Sequence, residues 1–344
     1  MKIILDAMGG DHAPQAPVLG AVEAAKLYGA NITLVGKGEE ILNVLRDAGI
    51  QDLPQGIEIS NADDVVDMHD DPASIIHKRK NSSMVLGLKM LADGQGDAFI
   101  SAGSTGALLT GATLIVKRVK GIRRAAMGPA MPNKAGGKTV ILDCGANAEC
   151  TPEFLLQFGL VGSLYAKKTY GVENPKVGLL NIGTEDSKGT PLQKQAYSLL
   201  TQAHEQGLIN FVGNVEARDV PLGAVDVVVC DGFAGNVLLK SIEGTAAFMG
   251  SLVSKMFKKN ILSKLAALLC MSDIKALKKL LDYREIGGTE FLGIRKPVIK
   301  AHGSSDALAF RNAVHQAQIA ASADISAELE QGLAKLAEIK ETEA

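Results

Sequence analysis

The stretch Val227-Val-Val-Cys-Asp-Gly-Phe-Ala-Gly-Asn236 holds the plan of the whole chain in miniature. Three successive β-branched apolar residues suit a strand covered on both faces, as in a parallel sheet flanked by helices. Aspartate and glycine follow where such a strand gives way to a helix. The same order of apolar run, small polar loop and helical periodicity recurs at residues 2–7, 31–36, 98–101, 139–143, 177–182, 225–230 and 297–301, with shorter runs at 57–60 and 211–213. This alternation predicts a three-layer α/β/α fold about a central, mostly parallel sheet. Residues 123–132 have no helical period and are expected to add an antiparallel strand or a flap.

Composition permits such a core. The 344 residues are 47% hydrophobic, enough for one large α/β domain. We read 1–344 as a single catalytic domain, with 241–285 as a helical segment within it. The formal net charge of −2 balances 36 basic against 38 acidic residues, so no global field points to nucleic acid. The opening apolar run before Asp6 is too short for a secretory segment, and a cytoplasmic location is expected. The four cysteines show no CxxC pairing, and three of them follow or lie in apolar runs expected to be buried. Reduced core thiols are the reading, with a Cys144 nucleophile as the alternative.

Ligands of open α/β sheets lie at the carboxyl ends of strands. Six such ends share one chemistry: Asp6-Ala-Met-Gly-Gly-Asp11, Ser101-Ala-Gly-Ser-Thr-Gly106, Asp143-Cys-Gly-Ala-Asn147, the loop 181–189 from Asn181 through Lys188, Asp231-Gly-Phe-Ala-Gly-Asn236 and His302-Gly-Ser-Ser-Asp306. Glycine lets backbone approach a ligand, and Ser, Thr, Asn or Asp caps a helix or meets an anion. One such loop is ordinarily just a capped turn. Six converging on one cleft predict an anion site, with Lys188 supplying a mobile positive charge.

Familiar alternatives fail on their letters. Gly36-Lys-Gly-Glu-Glu-Ile41 lacks the third glycine of a dinucleotide fingerprint, and no GxxxxGK[ST] loop exists. Ala102-Gly-Ser-Thr-Gly106 is not a GxSxG elbow, so Ser104 reads as a cap or a phosphate ligand. The six histidines have no metal-ligand spacing. His302 stands apart, ending an apolar run and opening a Gly-Ser-Ser-Asp turn where an imidazole meets substrate or serves as a cap.

Taken together, LDAMGGDHAP, DPASIIHKRKNSSM, SAGSTGALLTGA, LDCGAN, GLLNIGTEDSKG, GNVEARD, VVVCDGFAGNVLLK and VIKAHGSSDA resemble the bacterial acyl-carrier-protein:phosphate acyltransferases of phospholipid synthesis, from Lys2 to about Ala313. The resemblance implies an isopropylmalate-dehydrogenase-like fold and a homodimer. It implies transfer of a long fatty acyl group from the carrier-protein thioester to inorganic phosphate, giving acyl phosphate for glycerol-3-phosphate acylation. Neither cofactor nor metal is expected. Cys144 stands where that family's motif leads one to expect an aliphatic residue, which weakens a nucleophilic role for it.

Phosphate is itself a nucleophile, so the protein's task is to hold it in line with the thioester carbonyl and to stabilise the developing oxyanion. Gly103, Ser104, Thr105 and Gly106, with Lys188, are the expected phosphate ligands. Asn147, Asn181, Asn236 and Ser304 are candidates for the thioester oxygen or acyl group, and His302 or Asp231 for proton handling. Two other readings compete: an isopropylmalate-type dehydrogenase using nicotinamide and a divalent metal, and a noncatalytic lipid- or carrier-binding protein.

Two basic features are separate from these loops. Residues 255–281 hold seven lysines and one acid, Asp273, among recurrent Leu and Met. This cationic amphipathic stretch suits membrane contact, carrier docking or ordinary helix packing across a dimer. His77-Lys-Arg-Lys80 is expected to be a solvated basic face, or to steer an acidic carrier protein.

Overall fold

The computed structural model describes residues 1–342. Its strands are β1 (Lys2–Asp6), β2 (Asn31–Gly36), β3 (Ile57–Asn61), β4 (Ala98–Ser101), β5 (Ala126–Gly128), β6 (Ala130–Pro132), β7 (Lys138–Leu142), β8 (Lys176–Asn181), β9 (Asn210–Glu216), β10 (Val227–Val229), β11 (Thr289–Leu292) and β12 (Val298–Lys300). The helices are α1 (Gln15–Tyr28), α2 (Gly38–Asp47), α3 (Ile75–Lys78), α4 (Ser83–Ala92), α5 (Thr105–Gly111), α6 (Pro152–Tyr170), α7 (Pro191–Glu205), α8 (Gly232–Lys258), α9 (Ile261–Leu269), α10 (Met271–Leu281), α11 (Ala307–Ala323) and α12 (Ser326–Thr342).

The expected central sheet is divided in two. One sheet orders its strands β3-β2-β1-β4-β12-β11-β5, the other β6-β7-β10-β8-β9. The first five strands of the larger sheet run parallel, and β11 is antiparallel to both its neighbours. In the smaller sheet β7, β10, β8 and β9 are parallel, with β6 antiparallel at the edge. The crossing from one sheet to the other falls between β5 and β6, at Pro129, which has no N–H with which to continue a ladder. Residues 123–132 thus supply the foreseen antiparallel element, as two short strands in different sheets.

Each sheet is covered on both faces, which is why its strands are continuously apolar. Leu5, Ile100 and Ile299 face a layer with α1 and α11, while Ile4, Phe99 and Val298 face α4 and α5. In the smaller sheet Val227 and Val229 pack with α6 and α7, and Val228 packs with Leu238 of α8. Val227, Val228 and Val229 are fully buried, each stabilising the fold by about 1.5–3 kcal/mol relative to exposure. Cys144 and Cys230 are buried and Cys150 is half-buried, but Cys270 is exposed at the end of α9, against the burial expected after its leucine run.

The cationic stretch leaves the body. Helix α8 has buried residues only in its first turns, at Gly232, Gly235 and Leu238, and α9 has none. Leu262, Leu268 and Leu269 are 73%, 64% and 87% exposed, so leucine at helical spacing does not mark core of this chain here. No helix among the described residues is long and apolar enough to cross a membrane.

Candidate active site

The parallel strands of each sheet bring their loops to a common edge, and the six glycine-rich loops fall into two groups. In the larger sheet the loops after β1, β4 and β12 interlock. Ser101 donates its Oγ hydrogen to Asp6 Oδ2 at 2.6 Å and accepts from Gly103 N–H at 3.1 Å. Asp11 N–H donates to the Gly303 carbonyl at 2.8 Å. Glycine is required where the loops touch: a Cβ on Gly9 would stand 2.8 Å from Gly103 N, and Gly10 adopts φ +104°. Burial pushes the Asp6 carboxyl above its usual range, partly countered by Ser101 and by the Met8 and Gly9 amides.

Residues 103–106 form the strand-to-helix turn after β4. Ser104 occupies the N-cap position of α5, yet its side chain makes no cap hydrogen bond. Its hydroxyl is not committed to holding the helix end. Gly106 lies under Pro72, where an added Cβ would be 3.0 Å from the proline ring.

In the smaller sheet, Asp143 organises the turn after β7. Its carboxylate accepts from the backbone N–H groups of Met127 at 2.8 Å, Ala146 at 3.2 Å and Asn147 at 2.6 Å. Met127 belongs to β5, so this aspartate also ties the smaller sheet to the larger one. Asn147 gives its amide hydrogens to Asp143 Oδ2 at 3.0 Å and to the Ala125 carbonyl at 2.8 Å. Both donors expected to meet the thioester oxygen are thus engaged in holding the loop. Asp231 caps α8, accepting from Ala234 N–H at 2.8 Å. Gly232 N–H donates to the Asn147 carbonyl at 2.8 Å, and Asn236 lies exposed with its side chain against Gly145.

The loop after β8 is the outermost. Asn181 accepts from Ile182 N–H at 2.8 Å and donates to the Lys188 carbonyl at 3.2 Å, so it shapes residues 182–189. The Lys188 side chain is exposed beside Gly183.

His302 lies where the two groups of loops meet electrostatically. Its Nδ1 accepts from Ser304 N–H at 3.3 Å and lies 2.8 Å from Ser304 Oγ. With Nδ1 accepting, the neutral ring carries its proton on Nε2. Burial, then the positive charges of Lys240 on α8 and Lys300 on β12, push its pKa below the ordinary value. Ser304, which the sequence suggested as an acyl or thioester ligand, thus contacts His302 through both its hydroxyl and its backbone N–H. Cys144 is no nucleophile: burial and then the Asp143 charge push its thiol far up.

The basic run 77–80 is only partly solvated. Arg79 clamps Asp70 at 2.9 Å and Asp64 at 3.2 Å, leaving Lys78 and Lys80 facing outward.

Two mostly parallel, helix-covered sheets, tied together by the Asp143 and Asn147 bonds to Met127 and Ala125, define a protein of the α/β class. A phosphotransacetylase from Streptococcus pyogenes shares this fold with a TM-score of 0.61 at 20% identity, covering 93% of this chain and 94% of that one. A 4-hydroxythreonine-4-phosphate dehydrogenase from Salmonella typhimurium shares it with a TM-score of 0.52 at 14% identity, covering 95% and 99%. The chain belongs to the fatty acid synthesis protein family, whose model matches residues 1–328. A phosphate acyltransferase of Alkaliphilus oremlandii is 49% identical over 92% of both chains. One from Bacillus cereus is 47% identical over 92% of this chain and 93% of its own.

Proposed function

We propose that this protein is an acyltransferase that moves a long-chain fatty acyl group from the thioester of acyl carrier protein to inorganic phosphate, forming acyl phosphate for phospholipid synthesis. The observation that carries this reading is a cleft of interlocked glycine-rich loops in a chain nearly half identical to phosphate acyltransferases. The dehydrogenase alternative is not favoured: its support is a shared fold, and Gly36-Lys-Gly-Glu-Glu-Ile41 simply ends β2 and opens α2.

In this reading Gly103, Ser104, Thr105 and Gly106 receive the phosphate, and Lys188 attracts it at the rim. A phosphate oxygen attacks the thioester carbonyl carbon, the C–S bond breaks, and the proton of hydrogen phosphate ends on the departing sulfur. The Nε2–H of neutral His302 donates a hydrogen bond to a phosphate oxygen, while the proton of hydrogen phosphate passes to the sulfur itself. Asn236, rather than the engaged Asn147, faces the oxyanion. Asp231 fixes α8 on the cleft, and the two sheets act as one catalytic unit.

Palmitoyl-carrier thioester should release carrier thiol only when inorganic phosphate is present, with acyl phosphate as the product seen by mass spectrometry. Free fatty acid as the sole product would make the protein a thioesterase, and binding without release would make it a lipid or carrier binder.

The carrier is acidic, and Lys78 and Lys80 offer it a basic approach. A cytoplasmic homodimer is proposed that touches the membrane peripherally through 255–281, where exposed leucines alternate with lysines. Changing Leu265, Leu268 and Leu269 together to serine is expected to abolish co-flotation with anionic liposomes while gel filtration still shows a dimer. Loss of the dimer instead would assign these leucines to subunit packing.

A further inference from the structure

Lys300 was not among the residues the sequence singled out, and it is a half-buried cation beside the turn that follows β4. It ends β12 in register with Ser101 of β4, whose hydroxyl holds Asp6. Alternation places its side chain opposite the buried Ile299, on the face of the sheet that carries α4 and α5. Its Nζ donates to the Ala102 carbonyl at 3.3 Å and to the Ala301 carbonyl. Ala102 immediately precedes Gly103, so the ammonium is fixed at the root of the 103–106 turn. Among the described residues no carboxylate lies within 4.0 Å of it. Two neutral carbonyls orient the group without neutralising it, and burial pushes its pKa down to about 8, only partly opposed by the Asp11 charge. A desolvated cation without a counter-charge is costly unless an anion completes it. Lys188, by contrast, lies exposed on the other sheet, free to move in water.

Resting on the acyl-to-phosphate reading above, we propose that Lys300 supplies the interior cation that seats inorganic phosphate against residues 103–106, with its ammonium held in place by the Ala102 and Ala301 carbonyls. Lys300 is then a catalytic residue in the strict sense, because it touches the attacking nucleophile, and its charge acts chiefly on phosphate affinity.

Steady-state thiol release separates the two levels of this argument. In Lys300→Met the KM for inorganic phosphate should rise at least ~30-fold. The KM for the acyl thioester should stay within about twofold, since only phosphate binding is altered. Lys300→Arg should recover part of the phosphate affinity. A wild-type enzyme with phosphate-dependent release and an unchanged phosphate KM in Lys300→Met overturns this assignment alone. Release indifferent to phosphate in the wild type overturns the proposed function with it.

A labelling experiment needs no variant to fold. Pyridoxal 5′-phosphate condenses through its aldehyde carbon with a lysine Nζ, losing water, and borohydride supplies the hydride that reduces the imine to a stable amine. Peptide mapping should find the label on Lys300, and millimolar inorganic phosphate should prevent it. An unlabelled Lys300, or one labelled equally with and without phosphate, would count against the assignment.

Discussion

Gly235→Ala is expected to lower kcat/KM for acyl transfer by about 100-fold, the scale of loss that follows a displacement of about 1 Å in a reacting geometry. A Cβ at this position would stand 1.9 Å from the Asp143 carbonyl oxygen and 2.8 Å from Cys230 Sγ. The first obstacle is backbone, held by the carboxylate network of Asp143, and it cannot swing aside as a flexible side chain would. The start of α8 must therefore back away from the 143–147 turn, drawing Asn236 from Gly145 and straining the Gly232 N–H bond to Asn147. Overpacking of this kind also costs roughly 1–3 kcal/mol of stability. Gly244→Ala is the control: it lies in the same helix with nothing within 4 Å of its added Cβ, and it should raise stability by up to ~1 kcal/mol through helix propensity. Equal activity in the two variants would show that close contact of α8 with the turn is not needed for turnover.

The second large effect concerns stability and pH. Glu290 of β11 is buried, and its Oε2 accepts no hydrogen bond. Burial pushes the carboxyl from its ordinary 4.5 up to about 8, with the Tyr165 phenol offsetting a little of this. The folded protein thus keeps Glu290 protonated while the unfolded chain ionises it. Stability is lost as pH rises from about 4.5 to about 8 and levels off above that, amounting to roughly 3–5 kcal/mol from this group. Tyr165 and Tyr170 stand beside it, and burial raises both phenols, Tyr170 to about 12, so neither titrates in that window. The Lys138 ammonium lies 4.7 Å from the Tyr170 ring centre, and burial lowers its pKa from 10.5. Glu290→Gln is neutral throughout and should gain stability relative to wild type as pH increases. Urea unfolding at pH 5, 7 and 9 reads the difference, and a constant offset across the three would remove the buried carboxyl as its cause.

The strands legible in the sequence were those whose burial on both faces forced unbroken apolar runs. Val140-Ile-Leu142 and Val227-Val-Val229 are fully buried as that pattern implies. β11 escaped notice because Glu290 interrupts its four residues and glycine flanks it at 288 and 293. The division into two sheets was also hidden, since each sheet taken alone shows the same strand-loop-helix grammar. At the site, glycine and small polar residues announced which loops matter. What they could not announce was which polar atoms are already spent. Asn147 and Asn181 read as candidate thioester or acyl ligands and also brace their own loops, whereas Lys300 reads as the polar end of a strand and reaches the Ala102 carbonyl. Hydrogen-bond commitment is a property of three-dimensional neighbours, and no spacing rule encodes it.

One helix joins the cleft to the exposed leucines. At 1.5 Å per residue, the 27 residues of α8 make a rod of about 40 Å, pinned at one end by Asp231, Gly232 and Gly235 and bare of buried residues beyond Leu238. A rod clamped near one end is a cantilever. The close fit at Gly235 fixes where the rod leaves the body, directly beside the Asp143 turn. The exposed leucines of α9 are thereby carried about one rod length from that turn.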